Sequence, residues 1–296
     1  MSSTTNPLHR LFRLSATHHG DLTKTTFNPS DNLQVISLGL SRTGTTSLHA
    51  AMTTLGFGPC HQGIDLFRST SRNEAWIRLY RDVLSGKWKA ADPGLNVELK
   101  RLMQGYKSVT DMPVFPLTPE IYAAYPDAKF ILTVRPGGKE AWWRSMQVLM
   151  WHLRRDAWRV LFRGAILPVS FIRRSDDTVQ LIRELWVRQF GGIGPDMYDK
   201  HNEMVQKVVP EGRLLVYDVR EGWAPLYKFL EVEVPGEPFP NLNDAESMVA
   251  IYTGMMAFGV CAWVLYVGAA VGMAYLALNP TFTHGLLESG LGEARK

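Results

Sequence analysis

Apolar residues occur in short unbroken runs that predict three buried strands. The runs lie in residues 33–38 (LQVISL), 129–135 (KFILTVR) and 213–220 (RLLVYDVR). Continuous apolar character, rather than alternation with polar residues, is typical of strands covered on both faces of a parallel sheet. Between these runs, helical spacing of apolar positions predicts helices at residues 45–55, 73–85 and 119–125. Alternating strands and helices indicate a three-layer α/β domain with a mostly parallel sheet.

Residues 142–190 have a different pattern, in which Trp, Phe and Leu are interspersed with many Arg residues. Two interpretations stay open. The segment can form amphipathic helices that pack on the domain while the arginine side chains reach solvent. It can also form a helical cap over a lipophilic substrate pocket that lies close to a bilayer.

A charge-free stretch runs from residue 248 to residue 278, close to the end of the chain. It exceeds the ~20 apolar residues that cross a bilayer, and its Gly and Ala content suits a membrane helix. We therefore predict a C-terminal transmembrane helix, rather than a buried core helix, followed by a short tail at residues 279–296. The main domain is expected in the cytosol, on the endoplasmic reticulum if the host is eukaryotic. The few flanking charges do not define the orientation.

Residues 1–32 carry scattered leucines among His and Arg, with no unbroken apolar run. This pattern does not match a secretory signal. We expect a flexible leader, and the shortage of acidic residues leaves a transit peptide as the alternative.

Composition narrows the function classes. The 296 residues carry a net charge of +4, which fits an anionic small ligand or a membrane surface better than nucleic acid. Two cysteines, Cys60 and Cys261, cannot make a disulfide framework and indicate a reducing compartment. Cysteine and histidine spacings typical of zinc sites are absent from the sequence, so we predict no metal site.

Residues 38–48, LGLSRTGTTSL, have the spacing of a phosphate-binding loop between a predicted strand and a predicted helix. Gly39 and Gly44 give the spacing, and Thr46 supplies the terminal hydroxyl. Successive backbone N–H groups and a helix N-terminus attract an anion in such loops. Thr45 stands where a nucleoside triphosphatase carries its lysine, and Arg42 is the nearby cation. No acidic strand end is evident, so a triphosphatase is disfavoured.

The loop and five further segments resemble, in order, the P-loop sulfotransferases. The resemblance is greatest to a fungal and bacterial branch with the pattern GxxRTGTxSL…LGFGPC, matched here by residues 38–61. The other matching segments are Asp111-Met-Pro and residues 123–135, 140–145, 213–230 and 235–243. The likeness covers residues 33–243, and it implies the family's fold and a transferase activity.

The resemblance also implies a donor site for 3′-phosphoadenosine 5′-phosphosulfate as co-substrate. The residues that it places around the 5′-phosphosulfate are Ser41, Arg42, Thr43, Gly44, Thr45, Thr46 and Ser47. It places Arg135, at a strand end, and Ser145, on the next helix, at the 3′-phosphate. Two departures stand out: Ser41 replaces a proline, and RPGGKEAWWRS lacks the family's Asp and is about two residues longer.

Sulfuryl transfer is an in-line displacement that needs a cation for the leaving phosphate and a base for the acceptor hydroxyl. Arg42 is the expected cation. His61 and Asp111 are equal candidates for the base, with Asp65 behind them. Each of the three also has a structural interpretation, as a packed side chain or a helix cap.

The resulting hypothesis is a membrane-anchored sulfotransferase-like enzyme that acts on a lipophilic alcohol or phenol in secondary or lipid metabolism. A second hypothesis keeps the loop but binds a diphosphate, as in a prenyl diphosphate cyclase or transferase. The tryptophans that motivate it are Trp142, Trp143, Trp151 and Trp158. A third is a catalytically silent membrane adaptor.

Overall fold

A computed structural model describes residues 32–67, 69–150, 157–242 and 245–279. The predicted leader and C-terminal tail lie outside the described residues, apart from residues 32 and 279.

Within the described residues, five strands form one sheet in the order β2-β3-β1-β4-β5, and every neighbouring pair is parallel. The strands are β1 (Val35–Ser37), β2 (Cys60–His61), β3 (Ser108–Val109), β4 (Lys129–Thr133) and β5 (Leu214–Tyr217). β1 is central and pairs through Ile36 with Val109 on one side and Phe130 on the other. The carboxyl ends of all five strands therefore lie along one edge.

The three predicted strands are confirmed as β1, β4 and β5, each somewhat shorter than its apolar run. β2 and β3 were not predicted, because two residues are too short to show a pattern of their own. Both pair with β1 or with each other through backbone hydrogen bonds whose partners lie far away in the sequence.

The helices of the described residues connect the strands and cover the sheet. They are α1 (Thr45–Thr54), α2 (Thr70–Leu84), α3 (Pro93–Leu102), α4 (Thr118–Ala124), α5 (Gly138–Met150), α6 (Ala157–Ile166), α7 (Ser170–Phe190), α8 (Asp196–Val208), α9 (Trp223–Leu230) and α10 (Ala245–Leu278). The predicted helices correspond to α1, α2 and α4. Gly56 follows α1 with φ of 84°, as expected of a glycine at a helix C-terminus.

Alternate strand residues enter two separate hydrophobic clusters, which makes the domain three-layered. On one face, Val35 and Ile131 pack with residues of α1 and α9. On the other face, Ile36 and Phe130 pack in the larger cluster, which includes residues of α2, α3, α4, α5, α7 and α8. The predicted three-layer α/β fold is therefore confirmed.

The described part of the arginine-rich segment at residues 142–190 lies in α5, α6 and α7 and in the turn between α6 and α7. α7 packs along α2, where Thr178 Oγ1 donates to Asn73 Oδ1 and Arg174 pairs with Glu74 at 2.9 Å. Asp176 accepts from both Arg159 and Arg163. The helices thus pack on the domain with several of their arginines paired. A cap over a lipophilic pocket stays a prediction.

α10 contains residues Thr253–Leu278, a stretch of 26 residues that is long and apolar enough to cross a membrane. By length and composition it is the one such helix among the described residues. Most of its apolar side chains are exposed, and Leu278 is 81% accessible. A core helix of the same composition would be buried instead.

The close approach of β1 and β4 generates a prediction at Gly39. A Cβ at this position would lie 1.8 Å from Thr133 Oγ1 and 2.8 Å from the Thr133 backbone nitrogen. Because backbone cannot move aside cheaply, Gly39→Ala should lower the free energy of unfolding by about 1–3 kcal/mol. The measurement is urea denaturation of the detergent-solubilised chain.

The matched control is Gly192→Ala, because a Cβ at Gly192 meets nothing within 4 Å. We expect it to unfold like the unsubstituted protein. Equal stability of the Gly39 and Gly192 variants would contradict the proposed steric limit.

Candidate active site

The predicted phosphate-binding loop lies at the carboxyl edge of the sheet, between β1 and α1. β1 is flanked by β3 on one side and β4 on the other, so the strand order reverses direction at this point. Open α/β sheets bind their ligands in the crevice at such a switch point. The position of the loop therefore agrees with its predicted role as a ligand site.

Two residues in left-handed conformations shape the loop, Arg42 with φ of 75° and Gly44 with φ of 97°. At Gly44 a side chain is also excluded by contact, because a Cβ would lie 2.6 Å from Val219 Cγ2. Thr43 fixes the loop from inside: its Oγ1 donates to the Leu40 carbonyl at 2.6 Å and shares a hydrogen bond of 2.5 Å with Thr133 Oγ1. The Thr43 hydroxyl thus supports the loop.

The first turn of α1 follows directly from Gly44, and within the described part of the chain no side chain caps it. The first N–H groups of a helix have no intrahelical acceptor, so they are suited to an anion. Thr45, Thr46 and Ser47 occupy this turn and are buried. Ser47 Oγ accepts a hydrogen bond from the Leu242 backbone N–H at 3.0 Å.

Arg42 joins the two halves of the predicted donor site. Its Nε donates to Ser145 Oγ at 3.1 Å, and its carbonyl accepts from Arg135 Nη1 at 2.8 Å. Arg135 follows β4 and Ser145 lies on α5, 93 and 103 residues from Arg42 along the chain. The structure thus brings these three residues together.

Trp142 is a positioning residue, whereas the sequence analysis named it only among the tryptophans of the prenyl diphosphate hypothesis. Its Nε1 donates to the Ser41 carbonyl at 3.0 Å, and its ring is fully buried. Trp142 and Ser145 are three residues apart and therefore lie on one face of α5. This three-residue spacing, taken together with the loop pattern, is the sequence signal that could have identified the role of Trp142.

Asp111 lies beside the loop, two residues after the end of β3. Its Oδ1 accepts from Ser41 Oγ at 2.5 Å and from the Met112 N–H at 2.7 Å, and its Oδ2 accepts from Thr45 Oγ1 at 3.1 Å. Burial raises the pKa of this carboxyl, although the hydrogen bonds and the charge of Arg42 act in the opposite direction. Asp111 is therefore a desolvated carboxylate in contact with the loop.

This placement corrects one sequence-based inference. We found no acidic residue at a strand end near the loop, yet Asp111 follows a strand that pairs with β1. The reason is that β3 has two residues and cannot be recognised as a strand by its apolar pattern.

His61 and Asp65 lie one strand further from the loop, because β3 separates β2 from β1. The His61 ring is fully buried against Tyr106, with ring centroids 4.9 Å apart. Burial lowers its pKa to about 4, and neither ring nitrogen has a hydrogen-bond partner among the described residues. Asp65 is buried as well and accepts from the Gln62 N–H at 3.0 Å. Their predicted role as bases stays a prediction.

α8 contacts the chain just after β1 and just after β4 through two residues that the sequence analysis did not identify. His201 Nε2 lies 2.7 Å from the Leu38 carbonyl, and Tyr198 OH accepts from the Arg135 N–H at 2.8 Å. Burial lowers the pKa of His201 to about 4, which favours a neutral ring. With Nε2 protonated, that ring donates to the carbonyl. These contacts hold β1 and β4 at their carboxyl ends.

Taken together, the site offers two guanidinium groups and a helix N-terminus for an anion, with one carboxylate beside them. Such a set binds a phosphate-like group and places a proton acceptor close to it. The prediction that the protein has no metal site remains a prediction. Within the described ranges, no group of three or more His, Cys, Asp or Glu is placed to hold a metal ion.

Comparison with known proteins agrees with this geometry. Residues 34–248 match the family described as the sulfotransferase domain. The chain is 30% identical over 226 residues to Ava biosynthesis cluster protein M of Aspergillus versicolor, which covers 73% of this chain and 83% of that protein. The family match includes the loop, Asp111, Arg135 and α5. The chain therefore belongs to the sulfotransferase domain family, a family of transferases.

Proposed function

We propose that the protein transfers a sulfuryl group from 3′-phosphoadenosine 5′-phosphosulfate to a lipophilic alcohol or phenol, while α10 anchors it in a membrane. The observation that carries the proposal is the contact of Arg42 with both Ser145 and Arg135. These residues come from three separate segments, and a donor with two phosphate groups requires cations from more than one segment.

In this proposal the donor's 5′-phosphosulfate binds at the loop, to amides of residues 41–47 and to Arg42. The 3′-phosphate binds at Arg135 and Ser145. In the structure these groups contact one another, so the bound donor would exchange some of those hydrogen bonds for stronger ones to its own charged oxygens. Arg42 would then stabilise the charge that develops on the leaving phosphate.

Asp111 is the base that we propose for the acceptor hydroxyl. It touches the loop through Ser41 and Thr45, whereas His61 lies one strand away. A carboxyl with a pKa raised by burial is a better proton acceptor near neutral pH than an ordinary aspartate. As the acceptor oxygen attacks sulfur and the bond from sulfur to the phosphate oxygen breaks, its proton passes to Asp111.

A membrane anchor and a lipophilic acceptor are consistent with each other. At 1.5 Å per residue, the 26 residues of Thr253–Leu278 extend about 39 Å, which exceeds the hydrocarbon core of ~30 Å. An enzyme held at a bilayer meets lipophilic acceptors that water does not dissolve. The relative's name refers to a biosynthesis cluster, which supports a role in secondary metabolism.

A second candidate function is favoured by the position of Asp111. An acid at the end of the strand next to β1, in contact with a loop hydroxyl, resembles the magnesium site of P-loop nucleotide hydrolases. The loop would then bind a diphosphate, as in the prenyl diphosphate hypothesis, and Mg²⁺ at Asp111 would be an addition to that hypothesis.

The first prediction concerns Arg42→Ala. Removing a donor aimed at developing charge should lower kcat/KM for sulfuryl transfer by at least about 100-fold. The measurement follows label from the phosphosulfate donor to a panel of apolar alcohols and phenols. Arg78→Ala is the matched control, because Arg78 is an exposed arginine on α2. A loss of equal size in both variants would contradict a specific role for Arg42.

The second prediction concerns Asp111→Asn and the pH profile. The base works only when ionised, so activity should fall as pH drops through the raised pKa of Asp111. The asparagine variant should lose about 10²–10⁴-fold in rate and should lack this acidic limb. If the asparagine variant kept the acidic limb, Asp111 would not be the base. His61 would then be the next residue to substitute.

The third prediction separates the two candidate functions by calorimetry. We expect adenosine 3′,5′-bisphosphate to bind equally well with Mg²⁺ and with a chelator. Arg135→Ala should weaken this binding by about tenfold or more, since a hydrogen bond to a charged group contributes about 1.5–3 kcal/mol.

The control for that measurement is Arg213→Ala. Arg213 also donates to a backbone carbonyl, that of Ala128 at 2.8 Å, but it lies just before β5, at the opposite edge of the sheet. Absence of bisphosphate binding, together with Mg²⁺-dependent binding of a prenyl diphosphate, would favour the second function.

A further inference from the structure

Several large apolar side chains are exposed on α6, at the start of α7 and in the turn between them. We call this group the apolar ridge, and its members are Trp158, Val160, Leu161, Leu167 and Phe171. Val160 is 71% exposed and Leu161 is 61% exposed. Single exposed apolar residues are ordinary, whereas five within residues 158–171 of one helical hairpin indicate an interaction surface.

The ridge is the outer face of a well-packed hairpin. On the inner side, Phe162, Ile166, Val169 and Ile172 form their own buried cluster. Asp176, itself buried, accepts two hydrogen bonds from Arg159 at 2.6 and 2.7 Å and one from Arg163 at 2.6 Å. The interior of the hairpin is therefore already packed and its charges are paired. The exposed apolar side chains are not part of that interior.

The same hairpin packs against the first part of the apolar stretch of α10. Gly259 permits the contact, because a Cβ there would lie 2.3 Å from the Ala165 carbonyl oxygen. Trp263 Nε1 donates to the Gly164 carbonyl at 2.9 Å. The rings of Phe171 and Phe258 lie 6.3 Å apart, so the ridge continues onto the exposed surface of α10.

The length of α10 determines the depth at which the hairpin lies. About 20 residues cross the hydrocarbon core, so the last 20 residues of Thr253–Leu278, from Gly259 onward, are sufficient. The hairpin contacts residues 255–263, which straddle that boundary. Trp263 lies in this range, and tryptophan is enriched at the interface level of membrane proteins.

We propose that the apolar ridge inserts into the interfacial layer of the bilayer that α10 crosses, as a second membrane contact of the protein. This inference rests on the proposed membrane anchor. The occupant is lipid rather than a second copy of the chain, because the ridge is continuous with the lipid-facing surface of α10. Insertion would fix the orientation of the sheet domain relative to the bilayer.

The test uses the full chain reconstituted in phosphatidylcholine vesicles. A single label is placed with Leu161→Cys in a Cys261→Ala background, since Cys60 is buried. The label is a polarity-sensitive fluorophore. We expect emission at shorter wavelength than in water and quenching by lipids brominated near the glycerol end of their chains. The matched control is Val97→Cys, because Val97 is 57% exposed on α3 and should remain in water.

Three results would overturn the proposal, and they differ from one another. In the first, the protein binds vesicles but the label at position 161 behaves like the label at position 97. This result would support the anchor and exclude the second membrane contact. A position-161 label shielded from aqueous iodide, yet insensitive to brominated lipid, would assign the ridge to a second copy. Failure of the chain to float with vesicles would remove the anchor as well. None of these readouts depends on sulfuryl transfer.

Discussion

The close approach of the loop to β4 is the constraint on which the site depends. Gly39 has no side chain to hold the two apart, and the hydrogen bond between Thr43 and Thr133 fixes the distance. In this arrangement Arg42 takes a left-handed conformation, which costs of order 1–3 kcal/mol. The hydrogen bond from Arg135 to the Arg42 carbonyl offsets that cost, since bonds to charged groups contribute about 1.5–3 kcal/mol.

Helix α5 then completes the site despite an unusual sequence before it. Gly137 and Gly138, both with positive φ, make the turn that starts the helix after Arg135. The helix places Trp142 and Ser145 on one face, and each contacts the loop through a different residue. With this turn before α5, the contact between Ser145 and Arg42 is formed.

The sequence predicted what depends on local pattern and missed what depends on long-range pairing. The strands β1, β4 and β5 and the loop were predictable because their apolar runs and glycines are local signals. β3 was not, so the contact of Asp111 with Ser41 and Thr45 could not be derived from the residues. His61 follows the loop helix in the chain, but the sheet order places it one strand away. Tyr198 and His201 act on partners 63 and 163 residues distant, for which no local signal exists.

Under the proposed function, the hydrogen bond between Ser47 and Leu242 limits how far the loop can lie from the lipid. Two residues separate Leu242 from the start of α10 at Ala245, so the gap is three residue steps, at most about 11 Å. Eight further residues lead to Thr253, about 12 Å of helix. In the proposed reaction, a lipophilic alcohol sulfated within that reach gains a permanent negative charge and becomes an amphiphile. Such a product would stay in the leaflet that supplied the alcohol, with its sulfate among the headgroups.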